Sequence, residues 1–211
     1  MIWQSLRFRR RNFWHTWHFL NFSIPRLFDW RVRGREHIPL EGPLLVASNH
    51  LALLDPPYVG ACLLREACFV AKRELFSFAP LRALITAYNA IPIRRGGWDS
   101  AAFRQVRRRL EQGWAVIMFP EGTRSRGSGF LDPKPGVGMI ARQTLTPVLP
   151  VCISGTDRPL GQLLSRRRPL TATFGPVLEA SEVAAFPDNR QGYEGLSRAV
   201  MDRIISLSIK P

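Results

Sequence analysis

From residue 31 onward, short runs of apolar residues alternate with longer stretches in which apolar positions recur every three or four residues. The first pattern marks buried strands, the second marks amphipathic helices, and their alternation marks an α/β domain. Strands are predicted at Leu44–Ala47, Cys68–Ala71, Ile91–Ile93, Ala115–Phe119 and Val148–Ile153, and around Thr171–Phe174. Helices are predicted at Leu54–Leu64, at Ser100–Gln112 closed by Gly113, between a loop carrying Lys134 and Gly136 and the residue Thr144, and at Tyr193–Ser208. In the last of these Leu196, Val200, Ile204 and Leu207 share one face, so it is expected to pack on the sheet. Leu75–Ile93 is the most apolar long segment, but Pro80, Arg82, Asn89 and Pro92 interrupt it. It is read as core helix plus strand, because a spanning helix needs about 18 to 20 consecutive apolar residues. The expectation is one domain over residues 31–211, a central mixed sheet flanked by helices.

Residues 1–30 read differently. They hold four of the six tryptophans together with Phe8, Phe13, Phe19, Phe22 and Phe28. At helical spacing Leu6, Phe13, Trp17, Leu20 and Ile24 share a face, Arg7, Arg10 and Arg11 gather near the amino end, and Pro25 breaks the pattern. Tryptophan rings settle at headgroup level and guanidinium groups on lipid phosphates, so a monotopic membrane-anchoring segment is expected here. The alternative is that these aromatics pack onto the domain or onto a partner chain.

The chain has 211 residues, 45% of them hydrophobic and 22% charged, which suits one ordinary globular domain. Its formal net charge of +14 is out of the ordinary and comes mostly from arginine, since the lysines are Lys72, Lys134 and Lys210 alone. Such a charge calls for an anionic partner: nucleic acid, a membrane surface or a phosphorylated substrate. Cys62, Cys68 and Cys152 sit in apolar surroundings without metal-ligand spacing and read as buried free thiols. That suits a reducing compartment, and the amino end lacks the features of a secretory signal, so a cytoplasmic setting is expected.

Two motifs carry chemistry. In Asn49-His50-Leu51-Ala52-Leu53-Leu54-Asp55-Pro56 a histidine follows an apolar strand and an aspartate follows it five residues on. A carboxylate holding Nδ1–H leaves Nε2 as a proton acceptor and stabilises the imidazolium that forms. Ser48 is the only nearby hydroxyl and lacks nucleophile-elbow glycines, so a substrate hydroxyl is the expected nucleophile. A structural pairing of the two residues is the plainer alternative, with Asn49 and Pro56 as turn residues. The second motif, Phe119-Pro120-Glu121-Gly122-Thr123-Arg124-Ser125, opens a loop at the end of a strand. Gly122 permits close backbone approach, Thr123 can donate, and Arg124 can grip phosphate in two places. Glu121 either meets a substrate hydroxyl, orients Arg124, or pairs with an arginine to stabilise the loop.

At these residues the chain resembles the glycerolipid acyltransferases typified by bacterial 1-acyl-glycerol-3-phosphate acyltransferase. Four family blocks are matched in order over residues 49–151: His50 with Asp55, the run Ile91-Pro92-Ile93-Arg94, the FPEGTRS motif, and Val148-Leu149-Pro150-Val151. The resemblance implies His50 as base, Asp55 as its orienting partner, and Arg94, Glu121, Gly122, Thr123 and Arg124 at the acceptor phosphate. It implies that the fourth block helps hold the acyl donor. Lys72 lies where such proteins commonly carry a lysine and is a secondary phosphate contact; Arg95 is placed to share the work of Arg94. Family members often show a glycine ahead of that arginine, where this chain has Ala87 and Asn89.

The implied reaction moves a fatty acyl group from a thioester to the sn-2 hydroxyl of lysophosphatidic acid. The donor is acyl-CoA or an acyl carrier protein thioester, with no cofactor. Another lysophospholipid, glycerol 3-phosphate or an amino-acid-containing lyso-lipid remains an alternative acceptor. The implied setting is the cytoplasmic face of a membrane, where each of eight arginines before residue 36 can contribute on the order of 1 kcal/mol of attraction to anionic lipid. His15 and His18 lie three apart, but no cysteine or suitable carboxylate completes a zinc set, so no metal is expected. Arg104, Arg107, Arg108 and Arg109 line the predicted helix Ser100–Gln112, yet no nucleic-acid motif accompanies them and nucleic acid is not an expected partner.

Overall fold

The computed structural model describes residues 15, 17, 18, 21–24, 26–87, 89–94, 99–125, 129–164 and 169–208. Within them, strands β1 (Trp30–Arg33), β2 (Leu44–Ser48), β3 (Ala67–Lys72), β4 (Ile91–Ile93), β5 (Ala115–Met118), β6 (Val148–Ser154) and β7 (Leu170–Phe174) form one sheet in the order β1-β7-β6-β2-β5-β3-β4. The strands from β6 to β4 are mutually parallel; β7 runs antiparallel to β6, and β1 runs parallel to β7. The sheet is mixed, as expected. Pro150 sets the end of the antiparallel pair: its carbonyl accepts from Gly175 N–H at 2.9 Å, but its ring nitrogen cannot return the bond, so pairing stops at Val151 and Phe174.

Side-chain alternation along β2 divides the core. Leu44 and Val46 point to one face, which α1 (Asp55–Cys62) and α2 (Ala79–Ala87) help to cover through Val59, Cys62 and Ile85. Leu45 and Ala47 point to the other, against α3 (Ser100–Glu111) and α4 (Gly136–Thr144). Beyond α4 come two short helices, α5 (Leu160–Leu164) and α6 (Ala180–Ala184), and then α7 (Arg190–Ser208). Both faces of β2 are covered, which is why its sequence reads as an unbroken apolar run. Helix α7 buries Leu196, Val200, Ile204 and Leu207, the face read from the sequence. Helix α3 buries Ala102, Val106 and Leu110 and turns its arginines outward; Arg109 stacks on the Trp114 ring at 4.5 Å. The three cysteines are free and buried, and burial pushes Cys62 and Cys68 to about 12 and Cys152 to about 11, which removes them as nucleophiles at neutral pH.

A parallel sheet delivers the carboxyl ends of its strands to one edge. Ser48, Lys72, Ile93, Met118 and Ser154 all end strands there. The opposite edge is closed by Arg65, 7% exposed, whose guanidinium donates to the carbonyls of Pro39 (3.0 Å), Gly42 (2.6 Å) and Gly113 (2.7 Å). These carbonyls lie on the segments entering β2 and β5, so one side chain holds the two central strands in register from below.

Several features lie outside the sequence reading: β1, α5, α6 and the 3₁₀ turns Arg35–His37 and Arg73–Phe76 are too short or too polar to show a period. The boundary expected at residue 30 falls inside β1. Much of the expected anchoring segment 1–30 lies outside the described residues. Of those described, Trp17 donates from Nε1 to the Leu63 carbonyl (2.9 Å) and Asn21 to the Ala61 carbonyl (3.0 Å), while Trp17, Ile24 and Phe28 pack on the α1 face of the core. Phe22 and Leu27 are instead exposed, at 59% and 50%. No helix of the described residues is long and apolar enough to cross a membrane.

Arg65→Met keeps the apolar stem but leaves three inward carbonyls without their donor. Its unfolding free energy, read by urea denaturation, is expected to fall by about 3 kcal/mol. A loss below about 1 kcal/mol would show that the loops hold their place without the guanidinium.

Candidate active site

Residues 49–55 turn from the end of β2 into α1 around one carboxylate. Asp55 opens the helix, where a negative charge meets the positive end of the helix dipole, and Pro56 and Pro57 fit the first turn because its N–H groups have no helical partner. Asp55 is fully buried, and its Oδ2 accepts from Leu51 N–H (2.6 Å), Ala52 N–H (2.7 Å) and His50 Nδ1 (2.8 Å). A carboxylate only accepts, so Nδ1 carries the proton of this bond, and in the neutral ring the lone pair lies on Nε2. The His50 ring stacks on Phe119 with centroids 4.2 Å apart and a 27° interplanar angle, which fixes its second rotational freedom.

The backbone of His50 is held from three directions. Its N–H donates to Glu121 Oε1 (2.8 Å) and its carbonyl accepts from Ser125 N–H (2.9 Å). One residue earlier, the Asn49 side chain acts as a surrogate peptide: Nδ2 donates to the Ile153 carbonyl (3.0 Å) and Oδ1 accepts from Ile153 N–H (2.7 Å), extending the β2–β6 ladder past its last backbone pair. The exits of β2, β5 and β6 are thereby tied together at His50. Glu121 also accepts from Leu131 N–H through Oε2 (3.1 Å), so both its oxygens face backbone donors. Burial raises its pKa above the ordinary carboxylate range, partly offset by those two N–H groups.

His50 opens on a cavity of about 590 Å³. Part of its wall is apolar, with Pro57, Phe69, Leu75, Leu81 and Ile85; part is cationic, with Lys72, Arg94, Arg124 and Lys134. Lys72 ends β3, Arg94 follows β4 and Arg124 follows β5, so parallel strands bring three positions distant in sequence to one bowl. Arg94 is steadied through its own N–H, which donates to Asp99 Oδ2 (2.9 Å); Asp99 Oδ1 caps α3 at Ala101 and Ala102. Those N–H groups, that of Arg94 foremost, hold the Asp99 carboxyl below its usual range.

Of the residues singled out from sequence, His50 and Asp55 form a bonded pair, and Lys72, Arg94, Gly122 and Arg124 line the cavity. Thr123 is exposed, and Glu121 lies behind His50; neither is on the cavity wall. Arg95 lies outside the described residues. Sequence reasoning missed Asn49 as more than a turn residue, and missed Asp99 and Lys134. Asp99 carried a usable signal, an aspartate just before a helix; Asn49 and Lys134 carried none, because their partners are remote in sequence.

The sequence profile of the acyltransferase family matches residues 29–154, which include every cavity residue named above. A 1-acyl-sn-glycerol-3-phosphate acyltransferase of Borreliella burgdorferi is 30% identical over 131 residues, covering 60% of this chain. The match spans only about half of that relative's length, 51%. The protein of the same name from Bacillus subtilis is 24% identical over 181 residues, 85% of this chain and 88% of that one. Among solved structures, the 1-acyl-sn-glycerophosphate (LPA) acyltransferase PlsC of Thermotoga maritima matches with a TM-score of 0.74 at 25% identity, over 98% of this chain and 84% of that one.

Glu121→Gln turns one acceptor into a donor facing a backbone N–H. Hydrogen exchange at the His50 and Leu131 amides is expected to accelerate roughly tenfold or more, with the β1 and β7 amides unchanged. Unchanged protection at residue 50 would remove Glu121 as the tie between the β2 and β5 exits.

Proposed function

Because the chain belongs to the acyltransferase family, we propose that it transfers a fatty acyl group from an acyl thioester to the free sn-2 hydroxyl of 1-acyl-glycerol-3-phosphate, giving phosphatidic acid. The observation that carries this reading is the His50–Asp55 pair, bonded at 2.8 Å, at a cavity that combines a cationic wall with an apolar one. A lyso-lipid phosphate has both needs in one molecule. The relatives named as 1-acyl-sn-glycerol-3-phosphate acyltransferases support the same acceptor.

In the proposed reaction His50 Nε2 takes the proton of the acceptor hydroxyl as that oxygen attacks the thioester carbonyl. Asp55 keeps Nδ1 protonated and stabilises the imidazolium. The tetrahedral intermediate collapses with cleavage of the C–S bond, the ester forms, and His50 returns the proton to the leaving thiolate. The base is then neutral again, and no covalent acyl-enzyme is required. Lys72, Arg94 and Arg124 receive the acceptor phosphate, and Gly122 lies beside them on the cavity wall. Glu121, which the resemblance places at the acceptor, serves better as the group that positions His50, given its two backbone partners. The donor is acyl-CoA or an acyl carrier protein thioester, whose chain suits the apolar wall.

The lipid acceptor implies work at a membrane, and the aromatic and arginine content of residues 1–30 supports that segment as an interfacial anchor. Buried free thiols suit the cytoplasmic face.

Purified protein given lysophosphatidic acid and a long-chain acyl-CoA is expected to release thiol and form phosphatidic acid, followed by mass. His50→Ala is expected to lose turnover by about a thousandfold or more while keeping its thermal midpoint within a few degrees; a variant as active as the wild type would overturn the base assignment. Deleting residues 1–24, which stops short of β1, is expected to release the protein from anionic vesicles in a sedimentation assay. Undiminished sedimentation would place the membrane contact elsewhere.

A further inference from the structure

Lys134 belongs to none of the sequence motifs that marked the site, yet it lines the same cavity as His50, Lys72, Arg94 and Arg124. Two features put it there. Its backbone N–H donates to the Pro120 carbonyl (2.9 Å), which pins residue 134 to the turn leaving β5. Its side chain then crosses Gly122: a Cβ added at residue 122 would stand 2.9 Å from Lys134 Cδ, 3.3 Å from Cε and 3.4 Å from Nζ. Gly122 is glycine on two counts, a φ of +65° and a lysine stem lying over the place where a side chain would be.

The charge balance of the cavity is one-sided. Among the described residues, no carboxylate lies within ion-pairing distance of Lys72, Arg94, Arg124 or Lys134. Asp99, whose charge acts on Arg94 without pairing with its guanidinium, holds the backbone N–H groups of Arg94, Ala101 and Ala102, and the carboxylates of Asp55 and Glu121 are committed to His50 and to backbone N–H groups. Like charges around one bowl repel, and the repulsion is relieved by an anion of matching charge. A phosphate monoester carries about −2 at neutral pH, whereas a diester carries a single charge.

We propose that Lys134 is a phosphate-binding residue, placed by the missing side chain at Gly122, and that with Lys72, Arg94 and Arg124 it selects a phosphate monoester acceptor over a phosphodiester. The proposal rests on the acyltransferase reading of this cavity and deepens it by adding Lys134 to the residues that recognise the acceptor phosphate. A compact ammonium with three donors suits a phosphate oxygen that two guanidinium groups leave uncovered.

The test is calorimetric binding of two soluble probes to the full chain, a six-carbon lysophosphatidic acid and a six-carbon lysophosphatidylglycerol. Lys134→Met keeps the stem over Gly122 and removes the charge; Lys134→Arg keeps the charge. The wild type is expected to prefer the monoester. Lys134→Met is expected to weaken monoester binding about tenfold and diester binding no more than about threefold, with Lys134→Arg close to wild type. Gly122→Ala is expected to weaken the monoester too, and the double variant to lose nothing further, since both changes remove one interaction. A wild type that does not prefer the monoester, or a Lys134→Met variant that binds it as the wild type does, overturns the proposal. Thiol release assayed on the same samples separates the two readings: protein that binds the monoester through Lys134 but transfers no acyl group refutes the acyltransferase reaction alone.

Discussion

The carboxylate of Glu121 bridges two strand exits. Its two oxygens accept from His50 at the end of β2 and from Leu131 beyond β5, and Ser125 returns a bond to the His50 carbonyl. The catalytic candidate, the phosphate-facing turn and the segment leading to Lys134 are therefore parts of one hydrogen-bonded unit. A shift of this turn would move His50, Gly122 and Lys134 together. Burying a carboxylate is costly, and backbone donors meet the cost at Glu121, so that among the described residues Lys72, Arg94, Arg124 and Lys134 form no ion pair with a carboxylate.

Asp55 repeats the device one layer away. It accepts from two backbone N–H groups as well as from His50, and it stands at the positive end of α1. Negative charge at this site is held by peptide dipoles, while positive charge faces the cavity. That separation makes the bowl electrostatically hungry for an anion and leaves His50 with a single task. The apolar part of the wall needs no such provision, since Phe69, Leu75, Leu81 and Ile85 reach it as the ordinary core-facing residues of β3, the adjacent 3₁₀ turn and α2.

Stability and chemistry occupy opposite edges of the sheet. Arg65 ties the segments entering β2 and β5, whereas Asn49, Glu121 and Ser125 tie the segments leaving β2, β5 and β6. The division follows from parallel strands: entering segments come from one side of the molecule and leaving segments from the other, so residues at strand exits can vary their chemistry without disturbing the lower edge.

Much of this was legible in the chain itself. The apolar runs of β2, β5 and β6 and the helical periods of α3 and α7 are local signals, and the core they predict is the core observed. His50 with Asp55 was legible because the two are bonded across one turn, Gly122 and Arg124 because their motif opens a loop at the end of a strand, and Lys72 and Arg94 through the family resemblance alone. What sequence could not settle was which groups face the cavity and which stand behind it. Glu121 and Gly122 are neighbours in one motif, yet one is turned inward to backbone N–H groups and the other lies against a lysine stem. Asn49 meets Ile153, 104 residues away, and Lys134 reaches its place through the Pro120 carbonyl. Local pattern determines elements because burial and helical or pleated geometry act over a few residues; the identity of a buried group's partner depends on strand order, which only the folded sheet decides.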